Sequence, residues 1–101
     1  MIRAFIVDDE RLAIERLGRL LGQTERVQVV GSSTDPADAL GAIALAAPDV
    51  LFLDIQMPGL TGFDLLEQLT VPVPVIFTTA FDAHALRAFT TNSIDYLLKP
   101  V

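Results

Sequence analysis

The chain contains no cysteine. A disulfide framework and a thiolate metal site are therefore excluded, and the lack is compatible with a reducing compartment. Basic residues are scarce: seven Lys and Arg stand against thirteen Asp and Glu, for a net charge of -6. Direct nucleic-acid binding by this segment is disfavoured, because phosphate backbones select basic patches. The acidic balance suits a domain that meets basic surfaces or binds a cation. No apolar run approaches the roughly 20 residues that span a bilayer. The N-terminal Met1-Ile2-Arg3-Ala4-Phe5 leads straight into a strand pattern and lacks the long apolar stretch and small-residue cleavage site of a secretory signal. A cytoplasmic protein with no membrane partner is expected. Low-complexity segments, repeats and linkers are also lacking, and no G-x-x-x-x-G-K-[ST] phosphate loop occurs.

What is present is enough for one small domain. The chain has 101 residues, of which 51% are hydrophobic, so one core can be buried. Strand and helix patterns alternate. Ile2 to Val7 is a short apolar run, read as a strand. Glu10 to Leu21 places Ala13, Leu17, Leu20 and Leu21 at helical spacing, with Asp9 as a candidate N-cap and Gly22 as a stop. Val27 to Val30 reads as the second strand. Asp35-Pro36 is the N-cap and first position of a helix that runs to about Ala46. Val50 to Leu53 is apolar at every position, as in strands covered on both faces. Thr61, with Asp64 three residues on, begins another helix. Pro74 to Thr78 reads as strand four, Asp82 caps a helix carrying Ala85, Leu86 and Phe89, and Ile94 to Leu98 is strand five. This alternation predicts an α/β fold: an open, doubly wound parallel sheet with right-handed crossovers. After Lys99-Pro100-Val101 no helix follows to cover the last strand. The sequence reads as a shortened chain or a piece of a longer protein.

Ligands of open α/β sheets bind beyond the carboxyl ends of the strands. Asp8-Asp9-Glu10 stand after the first strand, Asp54 after the third, Thr78-Thr79 after the fourth and Lys99 after the fifth. Brought together, Asp8, Asp9 and Asp54 repel one another, and a hard divalent cation resolves this through oxygen ligands. Mg²⁺ needs few protein ligands and leaves room for a phosphoryl oxygen. Lys99 can neutralise a second oxygen and a Thr hydroxyl can donate to a third. Positioning and charge stabilisation are what phosphoryl transfer asks of a protein. Asp54 is the candidate nucleophile, since carboxylates form acyl phosphates.

Singly, each residue also fits a simpler role. Asp9 serves as an N-cap, Asp54 terminates a strand, Lys99 is a solvated lysine, and Thr78 and Thr79 are good strand residues. The conjunction carries the reading. His84, the one histidine, is read as an exposed helix residue, and Gly59 and Gly62 as loop and helix-start glycines near the site.

Four segments carry a resemblance: Phe5-Ile6-Val7-Asp8-Asp9-Glu10, Leu53-Asp54-Ile55-Gln56-Met57-Pro58-Gly59, Phe77-Thr78-Thr79-Ala80 and Tyr96-Leu97-Leu98-Lys99-Pro100. The whole chain, residues 1–101, resembles the receiver domains of two-component response regulators. The stretch from Thr79-Ala80-Phe81 to Lys99-Pro100 is most similar to receivers joined to LytTR-type DNA-binding domains. The resemblance implies a flavodoxin-like sheet of five strands in the order 2-1-3-4-5. It implies Asp54 as phosphoacceptor, and Mg²⁺ held directly by Asp9, Asp54 and the backbone carbonyl of Gln56, with Asp8 supporting the ion. It implies Thr79 and Tyr96 as switch residues, Lys99 against the phosphoryl group, and a cis Lys99-Pro100 bond. A sensor histidine kinase is the implied donor and a homodimer the implied assembly. The family's fifth helix and output domain would follow Lys99-Pro100, so the usual dimer face is expected to be incomplete in this segment and DNA binding to belong to the output domain.

Two other classes compete. A phosphatase of the haloacid dehalogenase type also uses an aspartate nucleophile and Mg²⁺, but needs a second acid two residues on, where this chain has Gln56, and a cap segment. A receiver-like scaffold that binds partners without phosphorylation usually has degenerate acids, whereas here all are present.

Overall fold

Alternating apolar and mixed segments assemble into one parallel sheet with helices on both faces. The structure is a computed structural model that describes residues 1–79 and 95–98. Its elements are β1 (Ile2–Val7), α1 (Arg11–Gln23), β2 (Val27–Ser33), α2 (Pro36–Ala46), β3 (Val50–Asp54), α3 (Gly62–Gln68), β4 (Val75–Thr79) and β5 (Asp95–Leu98). The strand order is β2-β1-β3-β4-β5, and all four neighbouring pairs are parallel. This is the expected order. The expected helix from Asp82, the histidine His84 and everything after Leu98, including Lys99, lie outside the described residues.

Side chains of a strand alternate between faces, and β1 and β3 use both. Phe5, Val7, Leu51 and Leu53 point to one face, where they pack with Ala39 and Ile43 of α2, Leu65 of α3 and Phe77 of β4. Ala4, Ile6 and Phe52 point to the other, against Ile14 and Leu17 of α1. The continuous apolar run 50–53 has this cause. Full burial of a residue such as Leu51 contributes about 1.5–3 kcal/mol. Phe63 and Phe77 add a tilted ring pair with centroids 4.8 Å apart.

Local chemistry sets the helix starts. The Asp35 carboxylate accepts the Ala37 N–H at 2.9 Å, ahead of Pro36 in the first turn of α2. Thr61 and Asp64 form a reciprocal capping box, at 3.0 and 3.1 Å, that opens α3. The start of α1 departs from expectation. Asp9 is not its N-cap: Glu10 holds that position with no side-chain cap bond. The helix also runs through Gly22 to Gln23 before it stops.

β2 is longer than its apolar run, extending through Gly31 to Ser33. Its pairing with β1 shifts register between Ala4 and Phe5, where Val29 and Gly31 are the successive partners. The extra residue is a bulge. Gly31 lies under the Phe5 ring, since a Cβ there would stand 2.7 Å from Phe5 Cε2.

Candidate functional site

Parallel pairing of β1 with β3 puts Val7 opposite Leu53. The next residues, Asp8 just past β1 and Asp54 at the last position of β3, therefore stand side by side at the carboxyl edge of the sheet. Both are buried, at 3% and 4% exposure, and Asp9 keeps contact with solvent. One carboxylate oxygen from each of Asp8, Asp9 and Asp54 can be chosen so that all three lie within 4.8 Å of one another. At an effective dielectric constant of about 20, two unit charges at such a distance repel by on the order of 3 kcal/mol. An all-oxygen donor set with this spacing fits a hard divalent cation such as Mg²⁺.

Backbone bonds hold the acids in place. The Asp8 N–H donates to the Ser33 carbonyl at 3.1 Å. That bond exists because the bulge in β2 brings Ser33 into register with the end of β1. The Asp8 Oδ1 accepts the Glu10 N–H at 2.9 Å, which turns the chain from strand into helix. Asp54 is fixed from two directions. Ile55, the next residue, donates its N–H to the Thr78 carbonyl of β4 at 3.3 Å and accepts the Gly62 N–H at 2.8 Å.

The loop after β3 is anchored by alternate residues. Ile55 and Met57 are buried, while Gln56, Pro58 and Gly59 face solvent. Gly59 has φ +77, a left-handed conformation that glycine adopts without strain. Gln56, two residues after Asp54, is thus held between two core anchors.

The remaining expected site residues are placed by the sheet alone. Thr79 ends β4 one step beyond Thr78, which is itself paired with Asp54. Thr78 is buried. Tyr96 pairs with Phe77, and Leu98, the residue before Lys99, pairs with Thr79. Sequence reasoning missed one contributor, Ser33, and named a second, Gly62, as a helix-start glycine near the site without its steric reason. The Ser33 carbonyl depends on a bulge that has no strong signal beyond Gly31. Gly62 packs against the Asp54 backbone, and its signal was a glycine in the first turn of a helix, where most residues form helix better.

The family model for the response regulator receiver domain matches residues 4–101. A response regulatory protein of Vibrio cholerae is 46% identical over 104 aligned residues, covering all of this chain and 44% of that protein. The transcriptional regulatory protein BtsR of Salmonella typhimurium is 44% identical over 103 residues, covering 43% of its length. The chain thus spans less than half the length of these curated relatives. Among solved structures, the signal receiver domain of the putative response regulator NarL from Mycobacterium tuberculosis superposes with a TM-score of 0.83 at 31% identity, covering 99% of this chain and 85% of that one. The response regulatory domain of mrkE from Klebsiella pneumoniae gives 0.79 at 35%, covering 99% and 84%. Among the described residues no helix is long and apolar enough to cross a membrane.

Proposed function

The chain belongs to the family of response regulator receiver domains, and from that premise we propose that it takes a phosphoryl group from a sensor histidine kinase onto Asp54. The observation that carries this reading is the convergence of Asp8, Asp9 and Asp54 within 4.8 Å at the carboxyl ends of β1 and β3. A carboxylate oxygen of Asp54 attacks phosphorus, the bond from phosphorus to the donor imidazole nitrogen breaks, and its electron pair leaves with the imidazole. The product is an acyl phosphate. Asp8, Asp9, Asp54 and the Gln56 backbone carbonyl would hold Mg²⁺. Bound there, the ion offsets the clustered negative charge and screens the phosphoryl oxygens.

The chain's own residues do the rest. Burial and the flanking bonds of Ile55 hold Asp54 in its attacking position. Thr79 donates its hydroxyl to one phosphoryl oxygen and Lys99 meets another. Tyr96 turns inward as Thr79 moves, and the acyl phosphate thereby biases a two-state switch. The domain is a signalling element rather than a turnover enzyme. It acts in the cytoplasm, pairs with a second copy in its active state, and controls a LytTR-type DNA-binding segment of the full-length protein. This acidic segment itself does not bind DNA.

Acetyl phosphate with Mg²⁺, followed by intact mass, tests the chemistry. One phosphoryl group is expected on the chain and none on Asp54→Asn, with both proteins checked for folding. Labelling of Asp54→Asn equal to that of the parent would overturn the assignment. Chelation of Mg²⁺ should abolish the gain.

A further inference from the structure

The geometry points to Gly62 as the residue that positions the Asp54 carboxylate, a role that rests on the function proposed above. Gly62 is buried at the first position of α3. Its φ is not in the left-handed region, so conformation does not demand glycine. Space does. A Cβ at Gly62 would run into the carbonyl oxygen of Asp54, and would stand 3.1 Å from Ile55 Cα and 3.2 Å from the Asp54 carbonyl carbon. All three are backbone atoms, which cannot swing aside as a side chain does.

The helix and the strand are also tied together here. The Gly62 N–H donates to the Ile55 carbonyl at 2.8 Å, so the start of α3 lies directly on the peptide that follows the acceptor. Leu65 is fully buried and holds α3 down on the sheet, and the Thr61–Asp64 capping box fixes its first turn. β3 cannot retreat either, because Leu51 and Leu53 are fully buried. An added methyl must therefore displace the Asp54–Ile55 peptide, and the carboxylate moves with it. Ordinary Cβ contacts begin at 3.4 Å, and catalytic groups need placement to about 0.5 Å. A misplacement of about 1 Å can cost roughly a hundredfold in rate.

The test compares the parent chain with Gly62→Ala, Gly41→Ala and Leu65→Val. Gly41 is an exposed glycine of α2 with nothing within 4 Å of its Cβ position. Leu65→Val loosens α3 without touching Asp54. Three quantities are read: thermal unfolding, the Mg²⁺ concentration for half-saturation, and the rate of mass gain from acetyl phosphate at saturating Mg²⁺. A stabilising osmolyte is added to any variant that lacks a folded baseline. Gly62→Ala is expected to label roughly 10- to 100-fold more slowly at saturating Mg²⁺. Gly41→Ala and Leu65→Val should label at the parent rate, the latter despite a lower unfolding temperature. Equal rates for Gly62→Ala and the parent would overturn the inference, and so would equal slowing in Leu65→Val. Failure of the parent to label would instead sink the proposed function, so the two failures are distinct.

Discussion

Asp9 differs from its two acidic neighbours because it keeps solvent contact while Asp8 and Asp54 are buried. Its charge helps the protein only when a cation is present. Asp9→Asn removes one of three like charges, so the metal-free protein should gain up to about 1 kcal/mol in urea unfolding. The same change should weaken Mg²⁺ binding by at least about tenfold, measured by titration calorimetry. A parallel loss of stability and affinity would contradict the repulsion argument. The strand-end acids were legible because a strand followed by Asp is a local pattern. The helix cap was not: Asp8, rather than Asp9, accepts the turning N–H, that of Glu10. Which of two adjacent aspartates does this depends on where β1 ends, a property of its pairing with β3. The buried glycine at position 62 was legible only as a loop or helix-start glycine, since its reason lies in a backbone 8 positions away in sequence.

The elements owe their ends to a few polar contacts. α2 closes on Ala47, a non-glycine in the left-handed region with φ 46. The Arg3 guanidinium donates to the Ala47 carbonyl at 2.8 Å and the Ala46 carbonyl at 2.7 Å, and Arg3 N–H reaches the Asp49 carboxylate at 2.8 Å. Ala47→Gly should stabilise the chain by about 0.5–1 kcal/mol, as relief of left-handed strain outweighs the added entropy of the unfolded state. Arg3→Ala should cost about 1–2 kcal/mol, since its bonds are partly exposed. Urea midpoints measure both. Gly31→Ala should cost about 1–3 kcal/mol on the same scale, because the Phe5 ring beneath it is itself buried and cannot swing away. α2 and α3 were readable from Asp35-Pro36 and from Thr61 with Asp64, both local capping signals. The far half of β2 was not, because Gly31-Ser32-Ser33 has no strand composition. Its extended form comes from pairing with β1 beyond the bulge, a long-range contact that no local window contains.

At the scale of the molecule, the fold class followed from strand-helix alternation and from the unbroken apolar run of β3, which both faces of the sheet then explained. The largest fully buried side chain is Phe77, in the layer with α2 and α3 and tilted against the Phe63 ring. Phe77→Ala should cost about 3–5 kcal/mol, a large share of the 5–15 kcal/mol typical of a domain. A fall in unfolding temperature of about 10 °C or more is expected by circular dichroism. β1 and β3 lie inside the sheet with strands on both sides and helices on both faces. Amide hydrogens in such strands exchange with solvent mainly when the entire domain opens. Asp8 and Asp54 hang from the ends of those two strands, so their backbones belong to the slowest-exchanging part of the molecule. Fraying at the C-terminal ends of the helices, or at the Val27 end of β2, leaves the bonds that hold these acids untouched. The site's geometry thus persists for as long as a single native molecule stays folded.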